Sequence, residues 1–185
     1  MCLDYSGSMA DAGEAALEEA IGKLFDPETA RQYLLQPSRD DVFVVIAFND
    51  KIRNIFIAKG PQEAAALPAK IRPLTPGGGT DFYSCAARAI DVMRTRPEWA
   101  DHLSAIILMT DGQGQGDADA FAARYNALKI DLPIYGITFG EAERRQLDWL
   151  ATLSRARVFD GHSDLAGAFR SARGYNRRPR MPPLS

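Results

Sequence analysis

A set of short, unbroken apolar runs restricts this chain more than any other feature. Residues 42–48 read Val-Phe-Val-Val-Ile-Ala-Phe and residues 104–110 read Ser-Ala-Ile-Ile-Leu-Met-Thr. A strand with one wet face alternates apolar and polar side chains. A run that is apolar at nearly every position predicts a strand covered on both faces, as inner strands of parallel sheets are. Residues 132–139 form a third such run, and Val158-Phe159 a short one. Between the runs, apolar residues recur at steps of three and four. Ala16, Leu17, Ala20, Ile21, Leu24 and Phe25 make one helical stripe; Phe82, Cys85, Ala86, Ala89, Ile90 and Met93 make another; Phe121, Ala122, Tyr125 and Leu128 a third. Strand and helix alternating in this way predict an α/β fold of the doubly wound, Rossmann-like kind, with a mostly parallel central sheet and helices on both faces. Asn49-Asp50 is too short a link for a crossover. The strand that follows it, residues 52–57, is therefore expected to run antiparallel, at an edge.

Other segments are expected to be helical by the same reasoning. Asp26-Pro27 ends one helix and starts a short second one with Ala30, Tyr33 and Leu34 on its apolar side. Residues 61–70 read as one alanine-rich helix, residues 143–153 as another, and Ser163 as the cap of a last helix with Leu165, Phe169 and Ala172 inward. Residues 177–185, with Arg177, Arg178 and Arg180 among Pro179, Pro182 and Pro183, read as a linker or tail. A single domain over residues 1–176 fits the 185-residue length.

The polar stretch Asp4-Tyr5-Ser6-Gly7-Ser8 follows the apolar start Met1-Cys2-Leu3. In an open α/β sheet, ligands bind beyond the carboxyl ends of the strands, where the strand order reverses. Asp4, Ser6 and Ser8 alternate, so an extended loop turns all three toward one side, and Gly7 lets the backbone bend. Two more polar loops stand in comparable positions: Gly79-Thr80-Asp81 ahead of a strong helix, and Thr110-Asp111-Gly112 after a buried strand. If the strands that the first and third of these loops follow are neighbours, Asp4 and Asp111 come to the same end of the sheet. Two close carboxylates without a basic partner repel, and a cation between them relieves the repulsion. Oxygen-only donors suit a hard ion such as Mg²⁺. The plainer reading makes Asp4 or Ser8 a helix cap.

Together these motifs resemble the von Willebrand factor A domain with its metal-ion-dependent adhesion site. That family's pattern is Asp-x-Ser-x-Ser, then a distant Thr and a distant Asp; here Asp4, Ser6, Ser8, Thr80 and Asp111 match it. The resemblance implies a bound Mg²⁺ or Mn²⁺. Ser6, Ser8 and Thr80 would hold it directly, and Asp4 and Asp111 directly or through water. One position would stay open for an aspartate or glutamate carboxylate of a partner protein. It implies an interaction module rather than an enzyme. Phe159-Asp160-Gly161 and Arg173-Gly174-Tyr175-Asn176 are similar to bacterial members, several of which carry the domain inside larger, sometimes membrane-anchored proteins. The first strand is short for a central one, which points to a chain that extends further or to one domain of a multidomain protein. Tyr5 and Tyr83, beside the metal loops, are expected at the rim of the contact surface, and Phe82 in the core.

Several function classes are disfavoured. Cys2 and Cys85 belong to no CxxC pair and are expected to be small core residues. No apolar run approaches the roughly 20 residues of a membrane-spanning helix, and nothing resembles a signal peptide. A net charge of −2 gives no field that draws nucleic acid. Gly77-Gly78-Gly79-Thr80 lacks the lysine of a phosphate loop, and Gly112, Gly114 and Gly116 follow a later strand than a dinucleotide fingerprint requires. The competing enzyme reading is a Mg²⁺-dependent phosphoester hydrolase with Asp4 as nucleophile; it lacks a second acid at position 6 and a lysine in the three loops.

Overall fold

The computed structural model describes residues 1–111, 114–129, 131–139, 144–161 and 169–170. Its strands are β1 (Cys2–Asp4), β2 (Val42–Phe48), β3 (Ile52–Lys59), β4 (Ile106–Thr110), β5 (Ile134–Thr138) and β6 (Val158–Asp160). They form one sheet in the order β3-β2-β1-β4-β5-β6. Every pairing is parallel except β2 with β3, the antiparallel hairpin at one edge. The order reverses between β1 and β4. Both strands end in the motif loops read from the sequence.

The unbroken apolar runs are explained by what covers them. Leu3, Val45, Ala47, Met109 and Ile137 pack on one face, against Leu17, Ile21 and Leu24 of α1 (Ala12–Phe25), Ala30 of α2 (Pro27–Gln32), Ala64 of α3 (Gly60–Ala65) and Leu67 and Ile71 of α4 (Leu67–Ile71). Their immediate neighbours Cys2, Val44, Ile46, Phe48 and Leu108 turn to the other face. There they meet α5 (Phe82–Arg94), α6 (Ala118–Ala127) and α7 (Arg144–Leu153). Successive side chains of a strand point to opposite faces, so two helical layers demand apolar residues at every position. Both cysteines are free and buried in the second layer.

Asp26 ends α1 and caps α2, accepting from the Thr29 backbone N–H at 2.8 Å. The segment expected as a single helix over residues 61–70 is instead α3 and α4, parted at Ala66. Pro68 lies in the first turn of α4, where its missing N–H costs nothing; inside one longer helix it would remove a hydrogen bond. The expected helix after Ser163 lies outside the described residues, as do Leu165, Ala172 and the tail 177–185. Phe169 is described, and it is fully buried in the first layer.

Leu34 departs from the apolar side assigned to α2. It is 75% exposed, with φ 57° in the left-handed region. The Leu35 N–H donates to the Ala30 carbonyl at 2.8 Å, which closes the helix in a Schellman turn, and such turns put a left-handed residue at this place. Leucine carries a Cβ clash there that glycine avoids. Leu34→Gly is therefore expected to raise stability by about 1 kcal/mol, with no packing lost, as read by urea unfolding.

Candidate metal centre

The site is built by three loops at the carboxyl end of the sheet. β1 ends on Asp4, which has no exposed surface. The chain then turns sharply, and the Ser6 backbone N–H donates back to Asp4 Oδ1 at 2.8 Å. Thr110, the last residue of β4, donates its hydroxyl to Asp4 Oδ2. One carboxylate thus ties the ends of two neighbouring strands together.

Above it the donors climb toward solvent. Ser6 is 1% exposed, while Ser8 lies at the surface. Their Oγ atoms are 3.1 Å apart. Ser8 Oγ donates to Asp111 Oδ1 at 2.8 Å, so Ser6 must be the donor in the serine pair. Asp4, Ser6, Ser8 and Asp111 are in this way linked into one set. Thr80 is not hydrogen-bonded to them. Its loop is nevertheless fastened to theirs, since Gly77 N–H donates to the Tyr5 carbonyl and Gly7 N–H to the Gly78 carbonyl, both at 2.9 Å. Thr80 is 5% exposed, and among the described residues its hydroxyl has no hydrogen-bond partner.

Residues absent from the sequence motif hold this arrangement. Asn49, just past β2, donates through Nδ2 to the Gly77 carbonyl at 2.6 Å and accepts at its own carbonyl from the Asp81 N–H at 2.8 Å. Gly78 has φ +83°, and a Cβ there would lie 2.7 Å from Asp50 Oδ1. Gln146 of α7 grips the backbone of Gly114 with both ends of its amide, at 2.7 and 3.0 Å. The sequence signals for these residues are faint. Thr110 is the polar last position of an apolar strand, and Asn49 reads in the sequence only as a turn residue.

Tyr5 and Tyr83 are not at a rim. They are 2% and 4% exposed. Tyr83 is packed by the rings of Phe82, Phe121 and Trp149, at centroid distances of 4.5, 6.0 and 5.9 Å. Aromatic rings set against an apolar helix layer gain more by burial than by waiting for a partner. Phe82 is in the core, as expected.

Solved structures share this architecture. A von Willebrand factor type A protein from Catenulispora acidiphila matches with a TM-score of 0.68 at 22% identity, over 95% of this chain and 40% of that one. The SpRpn10 VWA domain matches at 0.65 and 12% identity, over 92% of each chain. This chain has a von Willebrand factor A fold. Manganese-loaded TRAP protein of Plasmodium vivax matches at 0.58 and 19% identity, over 99% of this chain and 63% of that one. The chain thus spans less than two thirds of the length of the Catenulispora and Plasmodium proteins. No protein-family model matches it. No curated protein matches it either.

The donor set of this von Willebrand A fold suits a hard divalent cation. All five candidate side chains offer oxygen. Among the described residues no group of three or more His, Cys, Asp or Glu comes together, so a metal here relies on hydroxyls. Asp4 and Asp111 form no ion pair among the described residues. Burial pushes the Asp4 carboxyl up to about 6; the bonds from Thr110 and Ser6 pull it back in part, and the charge of Asp111 adds to the rise.

A carboxyl whose folded-state pKa lies above its unfolded value of about 3.9 favours folding at low pH. That advantage is lost as pH rises through about 6. With chelator present, the wild-type protein is therefore expected to lose more stability than Asp4→Asn between pH 4 and pH 7.5. The differential is about 2–3 kcal/mol at most, measured by urea unfolding at the two pH values.

Proposed function

We propose that this domain is a non-catalytic interaction module that binds a protein partner through a divalent cation, Mg²⁺ or Mn²⁺. Asp4, Ser6, Ser8, Thr80 and Asp111 hold the ion, and the partner contributes an aspartate or glutamate carboxylate. The observation that carries this reading is the hydrogen-bonded run from buried Asp4, through the Ser6 amide and the Ser6 and Ser8 hydroxyls, to Asp111 at the switch point of the sheet. The manganese-loaded TRAP protein of Plasmodium vivax, which has the same fold, adds support.

Once bound, the cation supplies a Lewis-acidic position that accepts a carboxylate from outside. The protein's own residues set the direction. Asp4 gives its charge from beneath, where no partner can reach it, and Ser8 and Asp111 stand at the open side. Three neutral hydroxyls with two carboxylates leave no excess negative charge to repel an incoming acid. The start of α5, capped by Asp81 through Ser84, lies next to Thr80.

Hydrolysis of a phosphoester by Asp4 is disfavoured by the same geometry. Each of its oxygens already receives a hydrogen bond, and the residue has no exposed surface from which to attack a substrate.

Mg²⁺ is expected to raise the unfolding free energy by roughly 2.7 kcal/mol at about 100 times its dissociation constant. Asp4→Ala and Thr80→Ala should each abolish that gain in a thermal-shift titration. If both respond to Mg²⁺ as the wild type does, the ligand assignment is wrong. Partner binding, followed by calorimetry, should disappear with chelator and when a single partner Asp or Glu becomes Asn or Gln. Binding indifferent to chelator would place the interaction on another face.

A further inference from the structure

Of the five candidate ligands, Thr80 alone has no hydrogen bond to the others. Its place relative to them is set by a short strap, Gly114-Gln115-Gly116, that lies against the segment Thr80-Asp81-Phe82. Gly114 rests so close to the Phe82 ring that a Cβ on it would overlap the ring. The Gln115 N–H donates to the Thr80 carbonyl at 2.6 Å. Gly116 has φ +119°, and a Cβ there would lie 2.7 Å from Asp81 Oδ1. The strap begins three positions after Asp111, so the same stretch of chain that follows one candidate ligand bears directly on another.

One side chain holds the strap from its far side. Gln146 Oε1 accepts from the Gly114 N–H at 2.7 Å, and its Nε2 donates to the Gly114 carbonyl at 3.0 Å. Among the described residues no other side chain hydrogen-bonds to residues 114–116. The match is chemical. A primary amide carries an acceptor and a donor side by side, and the N–H and carbonyl of a single residue are their complement. A thioether or alkyl chain of the same length answers neither group. The core contacts of α7 are made by Leu147, Leu150 and Ala151, so packing does not call for an amide at position 146. The strap has little else to order it. Gly112, Gly114 and Gly116 fall within five positions, and glycine loses more backbone freedom on ordering than any other residue.

We propose that Gln146 is a positioning residue for the cation site. By holding Gly114 against Phe82 it keeps the Gln115 N–H on the Thr80 carbonyl, and so fixes Thr80 relative to Asp111. This rests on the proposed function and adds to it that α7, which supplies no ligand, controls how tightly the ion is held. Losing both amide bonds shifts the opening of the strap by about tenfold. A glycine-rich strap has little to spare, so that shift leaves it open most of the time. The apparent dissociation constant of the ion then rises as the inverse of the closed fraction, by at least about threefold. The linkage is reciprocal: an ion held by Thr80 and Asp111 in turn steadies the strap.

Gln146→Met and Gln146→Leu, which keep the helix propensity and the net charge, test this in two measurements. In metal-free protein, amide exchange at Gly114 and Gln115 is expected to quicken by at least about threefold in both variants. Gly7 and Gly77, which bond to Gly78 and Tyr5 and not to the strap, should keep their wild-type rates. In a calorimetric Mg²⁺ titration the dissociation constant is expected to rise by at least about threefold in both variants. The metal-free Tm should stay within about 2 °C of the wild type. A lowered Tm with an unchanged dissociation constant would make Gln146 a structural residue only and overturn the proposal, as would unchanged exchange at Gln115. The two readings separate cleanly. A wild type that binds Mg²⁺ while both variants bind it as tightly overturns this inference alone, whereas a wild type that takes up no Mg²⁺ overturns the proposed function and this inference with it.

Discussion

A fully buried carboxylate, with no ion pair among the described residues, sits where the strand order of the sheet reverses. Asp4 is held there by the Ser6 N–H and the Thr110 hydroxyl, which is enough to place it and too little to make its charge comfortable. Much of the loop architecture follows from serving that residue. The sharp turn after β1 returns a backbone donor to it, β4 ends on a threonine for the same purpose, and the Gly77–Gly79 segment is laced over the top by backbone hydrogen bonds to Tyr5 and Gly7. So costly a group beneath a ladder of hydroxyls is one that a cation would stabilise, and the proposed function rests on it.

β1 is the axis of the molecule in a second sense. Its carboxyl end carries Asp4, and its amino end enters the sheet between β2 and β4. The two ends are mechanically connected through three residues in the middle of the sheet. How firmly β1 is held between β2 and β4 therefore bears on how well Asp4 is placed.

Most of the fold was legible because burial on both faces leaves a plain mark in the sequence. Runs such as residues 42–48 admit no other reading, and the Asn49-Asp50 turn settled the direction of β3. Asp4, Ser6, Ser8 and Asp111 were legible because their spacing carries the pattern, and the structure does draw these four together. What escaped was decided by packing between segments far apart in the chain. Nothing local distinguishes Tyr83 at a rim from Tyr83 wedged among Phe82, Phe121 and Trp149. Asn49 and Gln146 hold loops through backbone atoms, which leave no trace in residue type. Leu34 looked apolar and inward, but the helix had already ended beneath it.

The bond from Ser8 to Asp111 spans 103 positions of the chain, and that from Thr110 to Asp4 spans 106. Between these ends lie most of the first helical layer and the whole β2–β3 hairpin. Loop closure over such distances is a late and slow event in folding, since its entropy must be met before the contact rewards it. No proteolytic fragment that lacks either end can display the oxygen ladder. During synthesis it can assemble only after the chain through Asp111 has left the ribosome. On the proposed function, partner binding is in this sense a certificate of a finished sheet, and a nascent or clipped copy would have nothing with which to hold a partner.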